Sequence, residues 1–118
     1  MTDAERFTAW SSLPPVEMAG WQMVPWEVNG RTIGVAATSG TEIHFAVDPQ
    51  WRTRAMTRER VRQFLAPLIE KRGYLTTRAI DPTQPQRDFL RKLGFDMTHE
   101  HDSIEHFMLS GLPFAKEH

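Results

Sequence analysis

The chain has 118 residues, 40% of them hydrophobic, a net charge of −1 and no cysteine. This length and composition are typical of one globular domain with a core of ordinary size. The lack of cysteine excludes disulfides and thiolate chemistry, and no apolar run approaches the ~20 residues of a membrane-spanning helix. The first ten residues lack the basic-then-apolar pattern of a signal peptide, so we expect a protein that is not secreted.

The first predicted element is a short helix over residues 3–12. Phe7 and Trp10 are three residues apart and share one face, and Pro14 and Pro15 stop the helix. Residues 16–23 are ambiguous. Large side chains of this region are interpreted as a cover for the core: Trp10, Met18, Trp21, Met23 and Trp26.

Two turns then predict a meander of three antiparallel strands. Asn29-Gly30 is a strong hairpin signal, because both residue types tolerate positive φ. It joins a strand at 25–28 to one at 31–37, and Ser39-Gly40 leads to a third at 41–47. Asp48-Pro49 ends that strand.

The second half of the chain predicts two helices and three strands. A helix over 55–71 is indicated by an apolar stripe, and Pro67 inside it predicts a kink or an early end. The stripe consists of Val61, Phe64, Leu65, Leu68 and Ile69. Gly73 is placed at the helix end, and 74–80 is strand-like.

The remaining pattern continues to the end of the chain. Pro85 lies in the first turn of a helix that ends at Leu93-Gly94, with Phe89 and Leu93 as its buried pair. The segment that follows predicts a hairpin turning near Asp102-Ser103. The strands at 41–47 and 74–80, linked by a helix, should be parallel and right-handed.

Two segments carry a family resemblance. V-D-P-Q-W-R-T-R-A-M-T (47–57) resembles the V-x-P-x-x-R/Q-G-x-G/A-x-G motif of the GNAT superfamily of N-acetyltransferases, and R-D-F-L-R-K-L-G-F (87–95) resembles its R-F-Y-x-x-L-G-F segment. The resemblance implies a mixed α/β domain over 1–118, with a mostly antiparallel sheet, one parallel βαβ crossover and helices on both faces. Residues 25–111 form its core, and residues 1–24 are a divergent N-terminal helical segment. The chain is also similar to small GNAT-like, internal virion-type proteins of short-tailed bacteriophages.

The resemblance gives a role to an unusual run of arginines, which lies at the start of a helix where the dipole disfavours cations. In GNAT enzymes this loop wraps the pyrophosphate of acyl-CoA, and backbone N–H groups at the helix N-terminus face the phosphates. Arg52 and Arg54 would add charge-assisted hydrogen bonds, with Arg58, Arg60 and Arg62 following. The implied cofactor-binding residues are Ala46, Val47, Arg52, Thr53, Arg54, Ala55, Met56 and Thr57. The alternative is that the arginines line a solvated face.

The chain also departs from the family pattern. Thr53, Ala55 and Thr57 stand where the motif has glycine, although Thr57 is a candidate helix cap. Leu90 occupies the position of the tyrosine that protonates the CoA thiolate, and Ile43 that of the general base. Glu42 and His44 flank Ile43 and are the candidate proton acceptors. Strand alternation places them on the opposite face from Ile43, and a polar outer face is the simpler interpretation.

Two further partners are considered and set aside. HEHDSIEH (99–106) contains three histidines, but its spacing fits no metal motif and a polar hairpin tip explains it, so we predict no metal site. The arginine run carries no base-reading motif, so any nucleic-acid contact is expected to be nonspecific.

These patterns leave two functional hypotheses. The first is a non-catalytic interaction or structural module on a GNAT scaffold, of phage type, acting in virion assembly with a protein partner or as a homo-oligomer. The second is an acyl-CoA-dependent N-acetyltransferase with a degenerate pyrophosphate loop and acetyl-CoA as its cofactor. A module would close the cofactor cleft with side chains such as Trp51 or Met56. In either case we expect the protein in the host cytoplasm or the virion.

Overall fold

A computed structural model describes residues 2–11, 20–52, 57–80 and 82–111. By their internal contacts the residues group into two compact units, residues 1–55 and residues 56–118. The elements of the first unit are α1 (Asp3–Trp10), β1 (Gln22–Val28), β2 (Arg31–Ser39) and β3 (Glu42–Val47). Those of the second unit are α2 (Arg58–Arg72), β4 (Leu75–Ile80), α3 (Gln84–Leu93), β5 (Asp96–His101) and β6 (Ile104–Leu109).

The element order confirms the predicted fold class. The strands have the order β1-β2-β3 in the first unit and β4-β6-β5 in the second, and the predicted mixed sheet with one parallel crossover is confirmed. All other neighbouring strands are antiparallel. The organisation as one domain with its core over 25–111 stays a prediction.

Helix α1 begins at a capping box. The Thr2 hydroxyl oxygen accepts the N–H of Glu5, and the Glu5 carboxylate accepts the N–H of Thr2. The helix ends at Trp10, two residues before the predicted end, where the N–H of Ser11 still donates to the carbonyl of Phe7. The prolines predicted to stop it lie outside the described residues.

The first unit contains the predicted meander. Asn29 and Gly30 have φ values of 53° and 79°, as the β1–β2 hairpin requires, and Gly40 has a φ of 60° in the next turn. Strand β1 begins at residue 22, earlier than the predicted 25, and β2 ends at residue 39 instead of 37. Asp48 ends β3 and its carboxylate accepts the N–H of Gln50 in a short 3₁₀ turn.

Helix α1 is anchored by apolar packing on one face of this meander. Phe7 is 1% exposed and packs with Val35, Ala37 and Ala46. The predicted cover residues Trp10, Trp21 and Met23 pack against the same cluster. Met18 lies outside the described residues. These contacts hold α1 against β2 and β3.

Helix α2 carries its predicted stripe, with Val61, Leu65, Leu68 and Ile69 buried and Phe64 half-buried. Of the kink or early end expected at Pro67, the early end does not occur, because the helix continues to Arg72. Proline has no backbone N–H, so one helix carbonyl lacks its usual partner. Pro67 is exposed, and water can donate to that carbonyl instead. Gly73, with a φ of 86°, caps the end and donates its N–H to the carbonyl of Ile69.

Helix α3 is also bounded as predicted. Thr83 forms a capping box with Gln86, Pro85 lies in the first turn, and Gly94 ends the helix in the left-handed conformation. The predicted buried pair is corrected, because Leu90 and Leu93 are buried while Phe89 is only half-buried. An i, i+3 pair satisfies the helical period as well as the i, i+4 pair does.

Strands β4 and β6 of the second unit differ strongly between their two faces, while the neighbouring β5 is exposed on both. The face that contains Leu75, Thr77, Phe107 and Leu109 is buried. The opposite face, which we call the open face, is exposed or half-buried. It contains Thr76, Arg78, Ile80, Asp96, His99, His101, Ile104, His106 and Met108. Asp102 and Ser103 form the predicted turn, with φ values of 51° and 65°.

The buried face also holds a carboxylate on β6 that α3 neutralises. Glu105 on β6 is 5% exposed and accepts from Arg87 through both oxygens, at 2.6 Å from Nη2 and 3.0 and 3.1 Å from Nε. The hydrogen bond from Arg87 lowers the pKa of Glu105 from its ordinary value, and the same bond raises the pKa of Arg87. The ion pair therefore joins α3 to the sheet.

We expect Glu105→Gln to lower the free energy of unfolding at pH 7. Because the pKa of Glu105 is lower in the folded chain, its contribution is present above the unfolded pKa of ordinary glutamate, about 4.3, and is lost as pH falls through the folded pKa. The stability difference between wild type and variant should thus shrink below about pH 4. Urea unfolding between pH 7 and pH 3 measures it, with the exposed Glu70→Gln as the control. A difference that stays constant with pH would contradict the assigned pKa direction.

Candidate functional site

The candidate proton acceptors form a pair on β3. Glu42 and His44 are two residues apart, so their side chains lie on the same face of the strand. The Nε2 atom of His44 lies 2.7 Å from Oε2 of Glu42. Their side chains are only 18% and 22% exposed, respectively. The two residues thus make a largely desolvated carboxylate–imidazole pair.

The surroundings of this pair correct one expectation. Glu42 and His44 lie on the face opposite Ile43, as strand alternation predicts, but this is not an outer face. It is shared with Ala46, which belongs to the cluster that α1 covers. The ring of Trp21 lies 5.4 Å from the His44 ring at a tilt of 55°. The contact with Trp21 was not found from the sequence, because residues 16–23 gave no clear strand register.

The contact with Glu42 determines which nitrogen of the His44 ring can accept a proton. An ionised carboxylate only accepts hydrogen bonds, so the Nε2 atom of His44 carries the proton that faces Glu42. The Nδ1 atom of the neutral ring is then left with its lone pair, and Glu42 stabilises the cation that forms when Nδ1 takes a proton. This is the arrangement of a general base held by a second group.

The predicted cofactor residues of the first unit have different environments. Ala46 and Val47 are buried at 2% and 4% exposure, while Arg52 is exposed. Trp51 is half-buried, and the Arg31 guanidinium lies over its ring at 6.0 Å. Residues 53–56, which include Thr53, Arg54, Ala55 and Met56, lie outside the described residues. The structure thus does not test their role.

In the second unit, Thr57 is the N-cap of α2, as predicted. Its hydroxyl oxygen accepts the N–H of Arg60 at 3.3 Å. The side chain therefore bonds the end of the helix that the resemblance assigns to phosphate. Arg60 is half-buried and Arg62 is exposed. A threonine here takes one of the helix N–H groups and leaves the first turn as the remaining source of donors.

The second motif lacks a proton donor. Leu90 is 8% exposed and packs as a core residue of α3. Tyr74 precedes β4 and is 44% exposed. Leu90 therefore serves packing, and its side chain has no group that protonates a thiolate.

Within the residues that the structure describes, no group of three or more His, Cys, Asp or Glu side chains is arranged to hold a metal ion. None of the described helices is long and apolar enough to cross a membrane.

Solved acetyltransferase structures share this fold. The chain is similar to the ribosomal-protein-S18-alanine N-acetyltransferase from Escherichia coli, with a TM-score of 0.56 and 17% identity over 98% of this chain and 86% of that chain. It is similar also to a Bacillus subtilis acetyltransferase solved in complex with CoA, with a TM-score of 0.56 and 10% identity over 78% of each chain. No protein-family model and no curated protein matches the sequence. At these identities the comparisons show the GNAT fold.

Proposed function

We propose that this protein is an acyl-CoA-dependent N-acyltransferase in which His44, held by Glu42, accepts the proton of the acceptor amine. The observation that carries the proposal is the 2.7 Å contact between these two side chains. Acyl transfer to an amine requires a group that takes the amine proton, directly or through water. On β3 the lone pair on Nδ1 of His44 can take this proton, and the carboxylate of Glu42 orients the ring.

The proposed reaction balances as follows. The amine nitrogen attacks the thioester carbonyl while its proton passes to Nδ1 of His44, and the carbon–sulfur bond then breaks. The amide and the CoA thiolate are the products. Because Leu90 offers no proton, the thiolate takes the proton of the imidazolium, directly or through a water molecule, and this restores the neutral ring.

Acyl-CoA binding tests the proposal first. We expect calorimetric titration with acetyl-CoA to give micromolar affinity, with CoA as the comparison ligand. Arg52→Ala and Arg54→Ala together should raise the Kd by about tenfold to a hundredfold for each arginine, since charge-assisted hydrogen bonds contribute about 1.5–3 kcal/mol each. Arg91→Ala with Lys92→Ala removes the same charge from exposed positions of α3 and is the matched control.

Each outcome of this titration is informative. Absence of both heat and thermal shift at millimolar acetyl-CoA would overturn the acyltransferase proposal. Binding that the arginine pair leaves unchanged would keep the enzyme but move the pyrophosphate away from residues 52–57. An equal loss in the control pair would indicate a general charge effect.

A second candidate is a non-catalytic interaction module, of phage virion type if the sequence resemblance is followed. Exposed apolar side chains in the second unit favour it, because Ile80 is 73% and Met108 is 36% exposed on the open face. The acetyl-CoA titration separates the two candidates. A module without cofactor binds no acetyl-CoA and is then tested for self-association by sedimentation.

A further inference from the structure

Two histidines face each other on the open face of the second unit. His99 on β5 and His106 on β6 are direct cross-strand partners. Their rings are stacked, with centroids 4.2 Å apart and planes within 8°. Directly opposed side chains on adjacent strands are the closest pairs that a sheet offers. The hairpin thus brings two imidazoles together at a surface position.

Thr98 fixes the tautomer of one of these rings. Its hydroxyl lies 3.2 Å from the carbonyl oxygen of His106, which can only accept a hydrogen bond, so the hydroxyl donates there. The same oxygen lies 3.0 Å from Nδ1 of His99. Since its only hydrogen is used, it accepts from Nδ1–H, and Nε2 of His99 keeps its lone pair. A second hydrogen-bonding group that orients a ring in this way is typical of metal-ligating histidines.

Contrary to the sequence-based prediction of no metal site in residues 99–106, we propose that His99 and His106 form a binding site for a divalent transition-metal ion of the Zn²⁺, Ni²⁺ or Cu²⁺ class. Neutral imidazole nitrogens are ligands that these ions prefer, at 2.0–2.1 Å for zinc. Two such bonds place the nitrogens about 3–4 Å apart, which opposed rings with this centroid spacing reach by tilting. Water completes the coordination, because within the described residues no third carboxylate or imidazole joins a cluster.

The charged neighbours of His99 and His106 influence the affinity of the site for a metal ion. Arg78 on β4 is the cross-strand partner of His106 and adds a positive charge beside it. His101 lies on the same face, two residues beyond His99, but its Nε2 pairs with Asp102 at 3.1 Å. Glu100 and Glu105 are cross-strand neighbours on the other face, where Glu105 bonds Arg87. The site therefore has two neutral ligands and one repelling cation, which favours moderate affinity.

Titration of the full chain without a histidine tag tests the proposal. The probes are ZnCl₂ and NiCl₂ at pH 7.5, followed by calorimetry, and MgCl₂ is the ion that should not bind. We expect one site per chain, and at least tenfold weaker binding for His99→Ala and for His106→Ala. His101→Ala is the matched control, since it removes an exposed histidine from the same strand and face and should change the Kd by less than twofold.

A second set of variants tests the geometry. Thr98→Val removes the bond that sets the His99 tautomer and should weaken binding severalfold. Arg78→Gln removes the neighbouring charge and should strengthen it. ¹⁵N ring spectra give a separate readout, in which the His99 and His106 signals should move on adding Zn²⁺ while the His44 signal stays.

Each outcome of these titrations either supports or overturns the metal site. Loss of binding in His99→Ala and His106→Ala with retained circular dichroism supports the site. Equal binding in wild type and both variants, or equal loss in His101→Ala, would overturn it, as would no saturable binding up to 1 mM (roughly the weakest affinity of a specific site). None of these outcomes depends on acyl-CoA, so the acyltransferase proposal stands or fails separately.

Discussion

His44→Ala should lower the rate of acyl transfer by about 10²–10⁴-fold, the usual contribution of a positioned general base. The variant removes the only imidazole on β3, and the carboxylate of Glu42 is left without the ring that it orients. Binding of acetyl-CoA should change little, because the proton acceptor acts on the amine and not on the cofactor. Release of free thiol from acetyl-CoA in the presence of a peptide amine measures the rate.

Companion variants separate catalysis from folding. Glu42→Gln keeps a side chain of the same length, but its amide can donate through Nε2 as well as accept through Oε1. It should therefore leave the ring in the wrong tautomer for part of the time and cost less than His44→Ala. His101→Ala is the matched control for loss of a histidine and should keep full activity. A His44→Ala protein that melts normally, binds acetyl-CoA and retains wild-type turnover would remove His44 from the mechanism.

Local chemistry explains why much of the fold was predictable. Asn29-Gly30 fixes its hairpin through the backbone preferences of the two residues and has the expected positive φ values. The alternating pattern after residue 94 placed the second hairpin turn at Asp102-Ser103, where it occurs. Thr57 and Gly73 bound α2 by capping, which also depends only on neighbouring residues. Such features can be predicted from a sequence because the interacting groups are close along the chain.

Features that depend on tertiary contacts were missed or misplaced. Pro67 was expected to kink α2 or end it early, but the helix continues to Arg72, with buried residues on both sides of the proline. The choice of Leu90 over Phe89 as a buried residue of α3 depends on which surface the helix faces, and the helical period alone permits either. Local patterns thus predicted the elements better than they predicted the buried faces.

In the candidate sites, too, the sequence predicts what depends on local pattern and misses what depends on tertiary contacts. Alternation along β3 placed Glu42 and His44 on one face, yet only the packing of α1 shows that this face is largely covered. The stacked pair His99 and His106, by contrast, follows from the predicted turn, since pairing residue 101 with 104 also pairs 99 with 106. The register was available from the sequence, while the ring geometry and the Thr98 bonds were not.

Phe7→Ala should be the most destabilising single change in the first unit. The ring is 1% exposed and fills the space between α1 and the residues Val35, Ala37 and Ala46. Removing a buried phenylalanine costs about 3–5 kcal/mol, because its apolar surface is lost and a cavity is left behind. Where a site falls in this range depends on how far its neighbours can collapse into the cavity. Urea unfolding followed by tryptophan fluorescence measures it.

Comparing Phe7→Ala with Thr8→Ala shows how much the docking of α1 contributes to the free energy of unfolding. Thr8→Ala alters an exposed residue of the same helix and should change stability by no more than about 0.5 kcal/mol. If Phe7→Ala costs as little as Thr8→Ala, α1 is not docked through Phe7 and the packing described here is wrong. Phe7→Leu keeps most of the apolar volume and should stay folded at 25 °C, so its turnover can be measured. Activity that falls in Phe7→Leu while acetyl-CoA binding is kept would show that α1 is needed to hold the Glu42–His44 face in its desolvated state.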